Sequence, residues 1–403
     1  MANLTTFDEA LKIDYLPVMR EQLNNATMLL SRLERDTENF EGKRWQLTVH
    51  HGRNSGVGAT SETGIPTAGS QSYKNPYGFT KFNRGRIKVS TAVIKASKSD
   101  KGSIVRALDS EIKGVTDDLK KDYNTQLHND GSAVRALVNG DPGTAATLTV
   151  DNPGTRYLFD GMKVDILNPS GGAARANSSG ITISTVTSDT TATMSANFDA
   201  AVADNDYVTR AGATDGAGTS YEIMGIKGIV DDGTYVTTLH NLSRTTYPWW
   251  KCSTFAEDDN GGTLRDLSNE LIQKAISAVE KNGGQVNLIM SDVDMRDAYV
   301  ALLVADKRFV NTMKLDGGWT GVEYSSEKAI PWVADVDCQP HTVYFLDTTH
   351  LKIMLLSDWD WMQEDGAILA RTGTSAEYEA VIENFSELAT DKPRAHSFLR
   401  DVQ

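Results

Sequence analysis

The sequence predicts an α+β protein of several domains. Three observations predict it: one long amphipathic helical stripe, apolar alternation at strand spacing on either side of it, and a Thr/Ser/Gly/Asp-rich stretch of short β runs over residues 141–219. At 403 residues the chain exceeds the roughly 250–300 at which one core stops growing, so two or three domains are expected. The longest apolar run, AYVALLVA (Ala298–Ala305), is far too short to span a bilayer, so no membrane partner is expected. The opening MANLTTFDEALK has no basic segment followed by an apolar one and is not read as a secretion signal. Cys252 and Cys338 lie far apart, without CxxC spacing, and read as two free thiols in a reducing compartment.

Residues 4–36 read as mostly helical, with Leu23, Leu30 and Leu33 near helical spacing and Pro17 dividing the segment in two. RWQLTVHH (Arg44–His51) alternates Trp45, Leu47 and Val49 against polar neighbours, the pattern of a half-buried strand. GRIKVSTAVIKAS (Gly85–Ser97) resumes that pattern with Ile87, Val89 and Val93 on one side. Between the two runs RNSGVGATSETGIPTAGSQSYKNPYGFT, from Arg53 to Thr80, 28 residues with five Gly and two Pro. Structureless loops beyond about 12–15 residues are uncommon in compact domains and are usually functional or disordered. The two strands are expected to form an extended hairpin. Because an isolated hairpin is marginal in water, something outside the segment must hold it.

Charge sharpens the point. Residues 43–98 carry ten bases (Lys43, Arg44, Arg53, Lys74, Lys81, Arg84, Arg86, Lys88, Lys95, Lys98) and one acid, Glu62. That segment is +9 in a chain of net charge −14, which leaves −23 for the remainder. A solvated basic hairpin that binds nucleic acid is one reading. The other is self-complementarity, the hairpin of one copy lying on the acidic body of another, and it accounts for both halves of the asymmetry.

From Ser103 to about Asn129, Ile104, Leu108, Ile112, Val115, Leu119, Tyr123 and Leu127 recur at steps of three and four, a single amphipathic stripe. No neighbouring helix of similar length is predicted, so the stripe is expected to lie across a sheet. In 141–219 Lys and Arg fall to four (Arg156, Lys163, Arg175, Arg210). There ATLTV, RYLF, MKVDIL, ITISTV and YVTRAG sit between Asn-Pro-Gly, Asn-Pro-Ser-Gly-Gly and Asp-Asn-Asp clusters, as in a small all-β module inserted into the main fold. The pattern then becomes α/β. Thr263–Gly284 reads as a helix with Thr263 as N-cap, Leu267, Leu271, Ala275 and Val279 on the buried face, and Gly283 ending it in the left-handed conformation. VNLIM (Val286–Met290) reads as a strand, Ser291 as the cap of a second helix, and HTVYFL, LKIMLL and EYEAVI as further strands.

The chemistry-bearing motifs are few. DVDMRD (Asp292–Asp297) and SDWDWMQED (Ser357–Asp365) lack the glycine and terminal glutamate of a calcium loop, and Asp292 and Asp294 read as acids at a helix start. His50 and His51 lie on a strand and face opposite ways, so they cannot easily share a metal. GGWTG and DDNGG lack the strand–glycine–helix context of a phosphate loop, and no Gly-x-Ser-x-Gly or His-Glu-x-x-His occurs. Trp249 with Trp250, and Trp359 with Trp361, could be stacking platforms for sugars or bases; packing is the preferred reading. No catalytic, cofactor or metal residue is therefore assigned, and a non-enzymatic protein is expected.

The order of parts, from helical arm through long hairpin, solitary long helix, β segment and α/β domain back to β, resembles the major capsid protein of tailed bacteriophages, the Hong Kong 97-type fold. Gly321–Ile353 is similar to that family's strand-rich axial segment, and DWDWMQEDGAILART with the closing YEAVIENFSELATDKPRAHSFLRDV to its C-termini. The resemblance implies an N-arm over 1–42, an extended loop over 43–98, and a spine helix with the start of the peripheral domain over 99–140. It further implies an inserted β domain over 141–219, peripheral domain over 220–260, axial domain over 261–350 and returning strands over 351–403. Its implied function is a shell of pentamers and hexamers, assembled in the host cytoplasm, that encloses double-stranded DNA without sequence-specific binding. A separate scaffolding protein, a portal and a decoration protein are the implied partners; no cofactor is implied. The expected inter-subunit contacts are Trp45, Leu47, Val49, Arg53, Lys74, Lys81, Arg84, Arg86, Ile87, Lys88 and Val89. An encapsulin shell on the same fold is one alternative, and a β-rich adhesin or carbohydrate-binding protein another.

Overall fold

The computed structural model describes residues 16–24, 27–91, 101–151, 153–169, 172–176, 178–198, 201–256, 264–305, 312–314, 320–325, 329–363, 368, 370–371 and 377–403. Two short helices, α1 (Leu16–Asn24) and α2 (Met28–Arg32), open them. The residues that would precede Pro17 in the divided arm, 4–15 of the helical expectation, lie outside the described residues. Pro17 sits in the first turn of α1, where its missing N–H costs nothing, and the second helix restarts at Thr27, whose hydroxyl accepts from the Leu30 N–H.

The body is built on a five-stranded sheet. β1 (Glu34–Asp36), β22 (Leu351–Trp361), β24 (Glu377–Thr390) and β23 (Ala370–Arg371) follow one another, and β7 (Lys81–Ser90) lies along the other edge of β24. The long helix α3 (Lys101–His128) packs across it, with Ile112, Leu119, Tyr123 and Leu127 buried among Ile87, Ile382 and Leu388. At about 1.5 Å per residue its 28 residues span roughly 42 Å. Gly85 permits the approach: a Cβ there would stand 2.7 Å from Leu119 Cδ1 and 2.8 Å from Val115 Cγ1. Trp359 and Trp361 both point into this core, as their spacing of two requires.

A seven-stranded mixed sheet adjoins. Its order is β16 (Ser253–Phe255), β25 (Ser397–Arg400), β21 (Thr342–Leu346), β17 (Leu288–Ser291), β20 (Ala329–Ala334), β19 (Thr320–Ser325) and β18 (Thr312–Lys314). Leu288, Met290, Tyr344 and Leu346 face the body core. Their alternates Ile289, Val343 and Phe345 face helices α4 (Asn269–Lys281) and α5 (Val293–Ala305). The cap of α4 is Ser268, which accepts from the Leu271 N–H; Thr263 lies outside the described residues. Leu267 and Ile272, flanking that cap, share one buried cluster, and this staple explains the later start. Gly283 ends the helix at φ +73°, as expected. At α5 it is Asp292, not Ser291, whose side chain accepts from the first helical N–H, that of Val293.

Between α3 and the second sheet the chain makes a six-stranded antiparallel sheet in the order β8 (Val134–Leu137), β13 (Tyr207–Arg210), β10 (Lys163–Leu167), β11 (Ile181–Ser188), β12 (Thr191–Met194) and β9 (Thr147–Thr149). Its two edges join. Val138 bridges Val150, Asn139 N–H donates to Thr149 O, and Asp151 N–H donates to Leu137 O, which closes a small barrel around its own core of Val138, Leu148, Val164, Ile166, Ile183 and Val208. The barrel begins at Val134, ahead of the composition change at 141. RYLF is turn rather than strand, because Arg156 and Tyr157 reach out to the second sheet: Arg156 donates to Cys338 O and pairs with Asp292 at 2.8 Å, and Tyr157 donates to Asp337 O. Cys252 and Cys338 are buried free thiols.

Candidate functional site: the projecting loop and its root

The expected hairpin partners are re-paired. The run from Arg44 to His51 forms two short strands, β3 (Arg44–Gln46) and β4 (Val49–Gly52). β3 pairs with β2 (Phe40–Glu41) and β6 (Tyr77–Phe79), and β4 pairs with β5 (Ser72–Lys74). Neither pairs with β7, which joins β24 through ten register partners from Glu377↔Ser90 to Ser386↔Lys81. The reason is two-sided. The inner face of β7 supplies Ile87, Val89 and Gly85 to α3, while its outer face sets Arg84, Arg86 and Lys88 against Glu383, Glu379 and Glu377 of the same chain. Arg84 meets Glu383 at 3.1 Å and Lys88 meets Glu377 at 3.6 Å; Arg86 grips Glu379 through both Nε and Nη2. Val93 lies outside the described residues.

Most of the expected contact residues are therefore used inside the subunit. Trp45 is fully buried against Met354 and Ala389, with Leu47 packed beside it, and Ile87 is 2% exposed in the body core. Val49 and Val89 pack against that core partly buried. Lys81 donates to Ser220 O at 2.6 Å, and Lys74 lies 5.2 Å over the Tyr247 ring. Arg84, Arg86 and Lys88, expected to meet acids on another copy, have acidic partners in their own subunit, and each base remains about half exposed. Arg53 alone of the group is exposed with no hydrogen bond or ion pair among the described residues.

What projects is the shorter piece from Arg53 to Gln71. Its neck is tight: Gly56 N–H donates to Asn54 Oδ1, and a Cβ on Gly69 would stand 2.8 Å from the Ser55 nitrogen. Beyond the neck Val57 is 82% and Ile65 91% exposed, and on the stem and base Tyr73 and Phe79 are 57% and 60% exposed. These four apolar side chains escaped the sequence reading. Val57 and Ile65 stand singly among Gly, Thr and Ser, so no alternation marks them.

The root of the loop is held by rings and by a cleft. His51 stacks on Trp249 with centroids 4.6 Å apart and planes 5° from parallel, and His50 lies against Tyr73 and Gln71. Trp250 is buried and donates to Leu239 O, on the two-stranded ribbon β14 (Thr238–Leu239) and β15 (Leu242–Ser243). Beneath it Arg244, wholly buried, pairs with Asp231 at 3.0 Å and donates to the carbonyls of Gly228, Ile229, Val236 and Trp250. Where β7 leaves the loop, burial pushes the Glu387 carboxyl up to about 7 despite nearby Lys81 and the Met224 and Leu388 N–H groups it accepts from. No cluster of metal-ligating side chains occurs among the described residues.

A lone long helix across an open sheet, a projecting loop fed by an edge strand of that sheet, and a second α/β layer together define the Hong Kong 97-type capsid fold. Among solved structures, the cyanophage A-1(L) capsid asymmetric unit matches with a TM-score of 0.55 at 15% identity, over 93% of this chain and 92% of that one. The capsid of an empty GTA particle (TM-score 0.47, 8% identity, 93% and 89% covered) and the holo-SrpI encapsulin complex from Synechococcus elongatus (0.45, 10%, 100% and 96%) also match, at scores that add no weight. No protein-family model matches the chain, and no curated protein sequence matches it.

Proposed function

We propose that this chain is the major capsid protein of a tailed phage, a structural subunit that self-assembles through pentamers and hexamers into the shell around double-stranded DNA. In this reading residues 43–98 are the extended loop, the closed barrel is an inserted surface domain, and assembly in the host cytoplasm uses a separate scaffolding protein. The observation that carries it is the loop tip. On this capsid fold, a stem of two short strands carries Val57 and Ile65 almost fully into solvent, uncovered by the described residues of their own subunit. Apolar side chains gain roughly 25 cal/mol for each Å² removed from water, so such a tip is completed by a sister molecule. The acidic remainder suits a shell that encloses DNA without gripping it, since phosphate binding needs clustered Lys and Arg.

The test is negative-stain microscopy of the purified chain, alone and co-expressed with candidate scaffolds. Closed shells are expected. A chain that stays monomeric at high concentration under every assembly condition overturns the proposal, and shells purified from cells with enzyme inside instead of genome assign it to encapsulins.

A further inference from the structure

We propose that the cleft at the loop root is a binding site for a compact oxyanion, a phosphate or a carboxylate. The cleft has a volume of about 320 Å³ and lies between β4, the Trp249–Trp250 turn and the turn Pro393–Ala395. Lys392 and Arg394 from the turn line it together with His350 and with His50 and His51 of the loop stem, and the Lys392 ammonium also donates to Gly283 O. Its one lining carboxylate, Asp391, is already bonded to His350 Nδ1 at 2.8 Å. Arg394 is exposed, with no hydrogen bond or ion pair among the described residues. The Arg394 guanidinium and the Lys392 ammonium, with imidazoles in the same lining, supply the kind of donors that oxyanions select.

Size and aromatic geometry narrow the ligand. The volume is at the small end for ligand pockets, which start near 300 Å³. Trp249 does not offer an open face to a base, because His51 already lies parallel on it and Trp250 and Tyr247 close around it at 5.4 and 5.9 Å. An oxyanion held there would bridge the stem, through His51, to the body, through Arg394 and Lys392, and so brace the loop.

Protonation adds a direction. The Asp391 hydrogen bond raises the His350 pKa above 6.5 against burial, with Asp391 and Asp347 also favouring the charged ring and Lys392 opposing it. His396, packed beside it, is held neutral by burial at about 4. His51 faces Trp249, and His50 faces Gln71 and Tyr73. As pH falls, His350 gains charge, and the site tightens.

Inorganic phosphate titrated into the unassembled full-length chain, followed by calorimetry and tryptophan fluorescence, tests this. Saturable one-to-one binding is expected, tighter at pH 6 than at pH 8 and weakened about tenfold or more by Arg394→Ala. No saturable binding, or an affinity in Arg394→Ala and Arg394→Glu equal to that of the unsubstituted chain, overturns it. The same titration on assembled particles separates the sources: phosphate that still binds marks a free-anion site, and phosphate excluded marks a site filled by a carboxylate of another copy. Binding by the unassembled chain does not depend on shell formation, so the two proposals fail separately.

Discussion

Glu387 shows what one buried side chain does to the energetics of this subunit. Its carboxyl is fully buried and pushed from 4.5 up to about 7. The folded state therefore keeps a proton that the unfolded chain has already released. Stability from this group is complete below about pH 4.5 and is lost as pH rises through about 7. Wild type should lose stability across that window relative to Glu387→Gln, as read from urea midpoints at several pH values; a difference that stays flat would show the group ionised in the fold. Single residues were legible where local chemistry rules. Gly283 ends its helix, the two cysteines are free and buried, and Trp359 and Trp361 share one buried face. Residues that answer distant partners were not legible: nothing near Arg156 in sequence announces Asp292, 136 positions away.

At the scale of elements the loop divides into two parts with different duties. β7 belongs to the body sheet, locked by Gly85 against α3 and by three ion pairs to β24. Exposed pairs of this kind contribute only about 0–1 kcal/mol each, so the apolar inner face does most of the holding. The piece beyond the Gly56–Gly69 neck is the part proposed to serve another copy. Deleting Ser55–Ser70 should leave circular dichroism and thermal melting nearly unchanged while abolishing shells in sedimentation; normal particles would remove the tip from assembly. The long helix could be read because its stripe follows one period over many turns, and the Arg53–Thr80 excursion because it follows none. Strand partners could not. Alternation says which face of β7 is buried, yet β4, β6 and β24 all present compatible patterns, and the acids that chose β7 lie some 290 residues further on.

For the whole molecule, charge and apolar burial have separate tasks. The segment 43–98 remains strongly basic and the rest strongly acidic, but its Arg84, Arg86 and Lys88 are matched within the subunit. In the proposed assembly, long-range attraction sets orientation and rate, while the exposed apolar tip supplies the durable contact. Raising salt from about 50 to about 500 mM should slow assembly several-fold in light scattering and barely move the denaturation midpoint of finished shells. Equal slowing and weakening would assign the contact to charge instead. Closed on itself, the barrel offers neighbours no free strand edge among the described residues.

By itself the sequence determined the periodic elements, their order along the chain, the imbalance of charge and the presence of a long unpatterned excursion, because each is a property of neighbouring residues. Tertiary structure alone decided which strand lies beside which, that the barrel closes, that β7 is held by its own subunit, and that residues of three distant segments line one cleft at the loop root. Those outcomes depend on pairings across hundreds of residues. Many segments of the chain satisfy the local rules equally well, and only mutual packing selects among them.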